Sequence, residues 1–351
     1  MLAGAMTVAL ADLDDRQESA EIEAWVTAHP DSTPFHRPAW IQAVARGTRQ
    51  KAAMLVCRHG GAIAGVLPLN RISSVLFGRA LVSSGFAVDG GIIADDPAAT
   101  QALADACWRQ AERWGCTTAE LRGGMLPEEG WTHKNDAYLG FSKPLEADDE
   151  AQLAAIPKRH RAEVRRGLDN QPDIQTGHEE LLDVHYRLYA ENVHRLGTPV
   201  FPKALFSNVL SAFGQDADIM VVSKDGVPVT SVISLYHRGR CMPYWHGASG
   251  QARALRSNEA AYFRLMSHAR RRGCTMFDFG RSKIGTGPAA WKKTWGWEGV
   301  PMTYAVRAAP GHEVRDINPL SPQYRRKVEL WKKLPLGLAN LIGPHIARGL
   351  G

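Results

Sequence analysis

Apolar and polar positions alternate in two stretches far apart in the chain, and the two stretches match. "MLVCRHGGAIAGVLPL" (Met54 to Leu69) aligns without a gap on "MVVSKDGVPVTSVISL" (Met220 to Leu235). In each, a period-two run meets a Gly-Gly or Asp-Gly pair and a second period-two run follows, the pattern of a β-hairpin with a tight turn. Further on, "ADACWRQAERWGCTTAELRGG" (Ala104 to Gly124) matches "FRLMSHARRRGCTMFDFGRS" (Phe263 to Ser282). Each shows helical spacing, a glycine stop and a strand that ends at glycine. The order hairpin, strand, helix, strand therefore occurs twice. It predicts an α+β fold of two units of roughly 150 residues, each a mixed sheet flanked by helices.

The remaining stretches fill in around this repeat. A first strand is expected from Thr7. The segment from Leu145 through "IPKRHRAEVRRGLDNQPDIQTG" to Gly197 reads as helices opening the second unit, broken at Pro157 and by a turn at "DNQPD". From Pro310 a proline-containing connection leads to a basic helix around "YRRKVELWKKLPL" and an apolar end, "GLANLIGPHIARGLG". The expected domains are 1–145, 146–309 and a tail, 310–351.

Composition narrows the class. With 351 residues and 44% apolar content the chain can bury a substantial core, and it has no run of eighteen apolar residues that would span a membrane. The N-terminal apolar stretch lacks a preceding Lys or Arg and reads as a strand rather than a leader, so a cytoplasmic protein is expected. Cys57, Cys107, Cys116, Cys241 and Cys274 form no CxxC pair and no zinc-like spacing, which predicts buried, reduced thiols and no metal. A net charge of +6 suits an anionic partner, and its location matters more than its total. It gathers in "PKRHRAEVRRG" and in the last 31 residues, which hold Arg325, Arg326, Lys327, Lys332, Lys333 and Arg348 against Glu329.

Candidate chemistry concentrates in "FDFGRSKIGTGPAAWKKTWGWEG", Phe277 to Gly299. Alternation places Phe277 and Phe279 on one side of a strand and Asp278 on the other, near the strand end where sheets bind ligands. From Arg281 to Gly287 an anion-facing turn is expected, with Arg281, Ser282, Lys283, Gly285 and Gly287 offering cations and approachable backbone N–H groups. Lys292 or Lys293, among Trp291, Trp295 and Trp297, is the candidate to stabilise an oxyanion; at helical spacing Trp291 and Trp295 fit equally as core. In "CMPYWHGAS", Tyr244 and His246 should share a strand face beside Trp245, with His246 either a general base or structural. Next comes a helix start with Ser257 or Asn258 as N-cap, where Arg253 and Arg256 offer a donor-phosphate site or an ordinary capped helix. Arg161, Arg165 and Arg166 form a cationic helix face, either solvated or closing an anion site.

Taken with "FHRPAWIQAV" near the N-terminus, these stretches resemble the FemAB/FemX-like family of tandem GNAT-fold acyltransferases. More narrowly they resemble its members associated with exosortase/PEP-CTERM exopolysaccharide loci. The resemblance implies two tandem GNAT-like domains, the second holding the working site and the first contributing acceptor contacts. It implies transfer of an acyl or aminoacyl group to an amine of an exopolysaccharide or cell-envelope intermediate, from aminoacyl-tRNA or acyl-CoA, with no bound cofactor. The family's key lysine falls on Trp291-Lys292 and its phosphate-meeting helix residue on Arg161, Arg165 or Arg166. Two features depart from the pattern: there is no coiled-coil arm, and "QARALRSNEA" stands where ordinary GNAT enzymes carry a CoA-pyrophosphate signature. The competing readings are an acyl-CoA-dependent N-acetyltransferase of an amino sugar and a noncatalytic anion- or nucleic-acid-binding protein. The basic tail is the candidate for contact with the inner membrane face.

Overall fold

Both hairpins form, and in both the turn is set by two residues in the left-handed region: Gly60 and Gly61 at φ 60° and 91°, Asp225 and Gly226 at 51° and 74°. The computed structural model describes residues 5–74, 78–314 and 322–351. Along the chain the elements are β1 (Met6–Leu10), α1 (Arg16–Ala28), α2 (Pro38–Thr48), β2 (Lys51–His59), β3 (Ala62–Ser74), β4 (Gly78–Ser83) and β5 (Ile93–Ala94). Then come α3 (Pro97–Arg113), β6 (Thr118–Arg122), β7 (Thr132–Pro144), α4 (Asp149–Ala155), α5 (Lys158–Asp169), β8 (Asp173–Gly177), α6 (Leu182–Leu196) and α7 (Lys203–Phe213). They continue as β9 (Ala217–Lys224), β10 (Val227–His237), β11 (Arg240–Ala248), α8 (Ala252–Leu255), α9 (Ser257–Arg271), β12 (Met276–Lys283) and α10 (Gly287–Thr294). The last are β13 (Val300–Ala308), α11 (Pro322–Lys332) and α12 (Leu336–Ala347).

Of the described residues, those within Met1–Asp136, Thr303–Asn318 and His345–Gly351 form one unit, and those within Ala137–Met302 and Pro319–Pro344 form the other. In the first, β1-β2-β3-β4-β6-β13 are neighbours; in the second, β7-β12-β11-β10-β9-β8. Each unit has a hairpin, a third strand, a helix and a strand parallel to the third: β4 beside β6, β11 beside β12. Each closes with an antiparallel strand taken from the far end of the other's stretch of chain. β13 pairs β6 through Tyr304↔Arg122 to Ala308↔Thr118, and β7 pairs β12 through Met276↔Pro144 to Lys283↔Tyr138. The boundaries expected at 145 and 309 therefore differ from the observed division, because alternation marks a strand but not its partner edge.

The turn expected at "DNQPD" is followed by a strand: β8 adds to the free edge of β9, Ile174 opposite Val222. Leu67, Leu69, Leu81, Leu103, Cys107 and Leu121 form the heart of the first unit's core. In the second, Phe277, Phe279, Trp295 and Trp297 pack with Tyr262, Phe263 and Met266 of α9. All five cysteines are free and buried. Among the described residues no helix is long and apolar enough to cross a membrane.

Candidate functional site

The site lies in the second unit, where two parallel strands separate. β11 and β12 are joined at only two registers, Arg240↔Met276 and Cys241↔Phe277. Beyond them β11 stays with β10 and β12 stays with β7. The outward backbone groups of β11 thus have no strand partner among the described residues; one of them, the His246 carbonyl, accepts from the Asn192 amide at 3.2 Å. The crevice opens at the carboxyl ends of parallel strands, the usual position for ligands in such sheets.

Each strand carries a bulge beside this divergence, a device that re-aims side chains at sites. On β11, Ile233 pairs Trp245 and Ser234 pairs Pro243, so Tyr244 is the extra residue. Strict alternation fails there, which corrects the expectation that Tyr244 and His246 simply share a face. The Tyr244 ring lies 4.9 Å from that of Trp245, and Trp245 packs on Phe206 at 4.6 Å. His246 instead meets α9: its Nε2 is 3.1 Å from Asn258 Oδ1 and its ring 5.8 Å from Tyr262. Because Oδ1 accepts, Nε2 carries the proton and Nδ1 the lone pair. Burial lowers the His246 pKa to about 4, so the imidazole is neutral at pH 7.

On β12 the ladder shifts between Asp278 and Arg281, with Gly280 at φ 63°. Lys292 holds this bulge. From α10 its Nζ donates to the carbonyls of Phe279 (2.6 Å), Gly280 (3.2 Å) and Arg281 (3.0 Å), and it sits 5.4 Å from the Phe141 ring centroid. An ammonium has three donors, and all three are directed at these carbonyls. The oxyanion role expected of Lys292 therefore needs a donor that this geometry commits elsewhere. Burial lowers its pKa to about 8, opposed by Asp278 and deepened by Arg281. Asp278 turns away from Phe277 and Phe279, as alternation implies. Its Oδ1 accepts from the Gly280 N–H at 2.7 Å and its Oδ2 lies 3.5 Å from Arg240. Burial raises the carboxyl above its ordinary range, against the pull of that N–H, Arg240 and Lys292.

An aromatic wall joins the two bulges. Tyr262 lies 5.2 Å from Phe279 and 5.0 Å from Trp291, Trp291 lies 5.6 Å from Trp295, and Trp291 Nε1 donates to Glu259 at 3.2 Å. Trp291 and Trp295 share a helix face, as their spacing implies, and Trp295 is core.

The glycine-rich turn is shorter than expected. Arg281, Ser282 and Lys283 are still strand, Arg281 stacks over Tyr138 at 4.2 Å, and α10 begins at Gly287. Only 284–286 remain as turn; a Cβ on Gly285, or on Gly287 at the start of α10, would meet nothing within 4 Å. The start of α9 also differs. Its N-cap is Arg256 in the left-handed region, not Ser257 or Asn258, because α8 adds a turn just before it. Arg256 pairs with Glu163 and donates to the Arg253 carbonyl, while Ser257 and Asn258 bond Thr230. Glu163 also holds Arg166 at 2.8 Å, and Arg161 donates to the carbonyls of Ala154 and Ile156. Arg165, Lys158, Arg159 and Arg253 are exposed.

Sequence reasoning missed Arg240, Tyr262, Glu259 and Phe141. Tyr262 falls in "AAYFRLM", where the two buried alanines before it are the one local signal of a packed face and point to no crevice. The other three become site residues only through pairing across strands and helices distant in sequence.

With this geometry in view, relatives can be compared. Residues 157–293, all within the second unit, match the family described as acetyltransferase (GNAT) domain. No curated protein matches the sequence significantly. Among solved structures, FemX superposes with a TM-score of 0.66 at 16% identity, covering 82% of this chain and 95% of its own. A tandem GNAT protein from the clavulanic acid biosynthesis pathway gives 0.56 at 13% identity, covering 88% of this chain and 100% of that one. The C-terminal domain of a putative lysylphosphatidylglycerol synthetase from Agrobacterium fabrum gives 0.55 at 14%, covering 84% and 93%. These similarities establish the fold: two α+β units of tandem GNAT type.

Proposed function

We propose that the second unit transfers an acyl or aminoacyl group to an amine on an exopolysaccharide or cell-envelope intermediate. What carries this reading is the divergence of β11 and β12 after Cys241 and Phe277, inside the stretch that matches the GNAT domain. The open edge of β11 offers backbone N–H groups to a donor carbonyl, and such preorganised dipoles stabilise the oxyanion that forms when an amine attacks. In this scheme Lys292 is a positioning residue that fixes the β12 bulge. Asp278 takes the amine proton as the new N–C bond forms and returns it to the donor's ester oxygen or thioester sulfur, which leaves as the carbonyl re-forms. Its raised pKa makes it a stronger base than an ordinary carboxylate, and its side chain stays 16% exposed, whereas desolvation makes His246 harder to protonate than an ordinary imidazole.

Aminoacyl-tRNA is the favoured donor, because Lys158, Arg159 and Arg165 form an exposed cationic face on α5 while Arg256, Ser257 and Asn258 are already engaged within the chain. The protein would be incubated with envelope precursors and either aminoacyl-tRNA or acyl-CoA, and products followed by mass spectrometry. Consumption of aminoacyl-tRNA with a matching mass gain on an amine acceptor is expected. Consumption of acyl-CoA alone would shift the reading to an amino-sugar N-acetyltransferase. If neither pool is consumed and Lys292→Ala only weakens salt-sensitive anion binding, the transfer reading fails.

A further inference from the structure

α11 and α12 each turn one face inward and leave apolar side chains outside. Gly197 of the α6 C-cap lies under Val328 and Lys332 of α11, and Gly343 of α12 sits against Val200. Ala339 is buried on the inner side of α12. Leu330 lies two residues from Val328, on the opposite side of the helix, and is 66% exposed; Leu338 and Leu341, one turn apart on α12, are 45% and 69% exposed. Scattered single leucines are normal on a surface, but these three fall within twelve residues.

Cations frame them. Arg326 and Lys333 sit at i−4 and i+3 from Leu330 and are exposed, and Lys327 is exposed beside them. The nearby Lys332 pairs with Glu329 at 3.1 Å. Apolar side chains flanked by exposed positive charge complement one kind of surface, an interface whose outer layer is anionic and whose next layer is hydrocarbon. A protein partner of ordinary interface composition does not require that layering. α12, at 12 residues, is about 18 Å long, well short of the ~30 Å hydrocarbon layer, so it would lie in the plane of the surface.

We propose that the outer faces of α11 and α12 dock on an anionic phospholipid bilayer, Leu330, Leu338 and Leu341 entering the acyl boundary and Arg326 and Lys333 meeting phosphates. This rests on the tail alone and is independent of the transfer chemistry. The full chain would be sedimented with vesicles of phosphatidylcholine, with and without phosphatidylglycerol. Two double variants would be compared, Leu330→Ser/Leu341→Ser and Arg326→Gln/Lys333→Gln, with unchanged thermal unfolding as the check on folding. Binding to the anionic vesicles is expected, reduced about tenfold or more by either double variant and weakened by salt. No sedimentation with anionic vesicles, or binding that neither variant alters, would overturn the proposal. So would sedimentation velocity showing a dimer that the leucine variant dissociates, which would assign the face to a second copy.

Discussion

Lys292 and His246 are both buried bases with lowered pKa values, and both make stability depend on pH. Lys292 titrates near 8 in the fold against 10.5 for a free lysine, so between those values the unfolded chain binds more protons and stability rises with pH. The gain across the window is about 3 kcal/mol. Urea unfolding at pH 8 and pH 10 should show it in the parent protein, and Lys292→Met should flatten it. Lys292→Met also leaves three carbonyls without a donor and should reduce transfer strongly, by a fall in kcat rather than a rise in KM. His246 and His185 are held near 4 and 3 against an ordinary 6.5. Their neutral forms stabilise the fold fully above pH 6.5, and that stability is lost as pH falls toward the folded values. Each accounts for about 2 kcal/mol between pH 7 and pH 5, so His246→Gln should remove about half of their combined acid sensitivity. An unchanged pH profile in His246→Gln would mean that the imidazole is not held neutral by burial.

At the scale of elements, the crevice depends on how closely helices approach strands. A Cβ on Gly167 of α5 would lie 2.5 Å from the Arg256 carbonyl and 3.2 Å from Ala260 Cβ. Gly167→Ala should therefore push α5 from the start of α9 and cost about 1–3 kcal/mol, measured as a fall in the denaturant midpoint at constant m-value. A larger effect on transfer than on stability would tie the α5–α9 seam to the crevice. Much at this scale was legible in the sequence. Period-two alternation and Gly-Gly or Asp-Gly pairs located the hairpins, although the turn falls at Gly60-Gly61 in one and one aligned position earlier, at Asp225-Gly226, in the other. Trp291 and Trp295 were placed on one face by spacing alone. The Lys292 cage was not legible, because it depends on a bulge that turns three consecutive carbonyls toward one amine. Nor was the engagement of Arg256 by Glu163, two residues 93 positions apart.

At the scale of the whole molecule, the repeat made two α+β units legible, while the partner of each closing strand was not. Alternation in β7 and β13 would be the same whichever edge received them. Ala305→Pro tests the observed pairing with Leu121. Removing one ladder bond and forcing the ring into β13 should speed hydrogen exchange in Thr118–Arg122, far away in sequence, and unaltered exchange there would refute the pairing. The same pairing imposes an order on biosynthesis. After β6 leaves the ribosome, about 180 further residues must be made before its partner strand exists, roughly 10 to 40 seconds at ordinary elongation rates. Through that interval a nascent sheet edge stays open, with β7 the nearest strand in sequence to cover it. The newborn chain thus has a window in which chaperone capture or a provisional, wrong strand pairing competes with its final form.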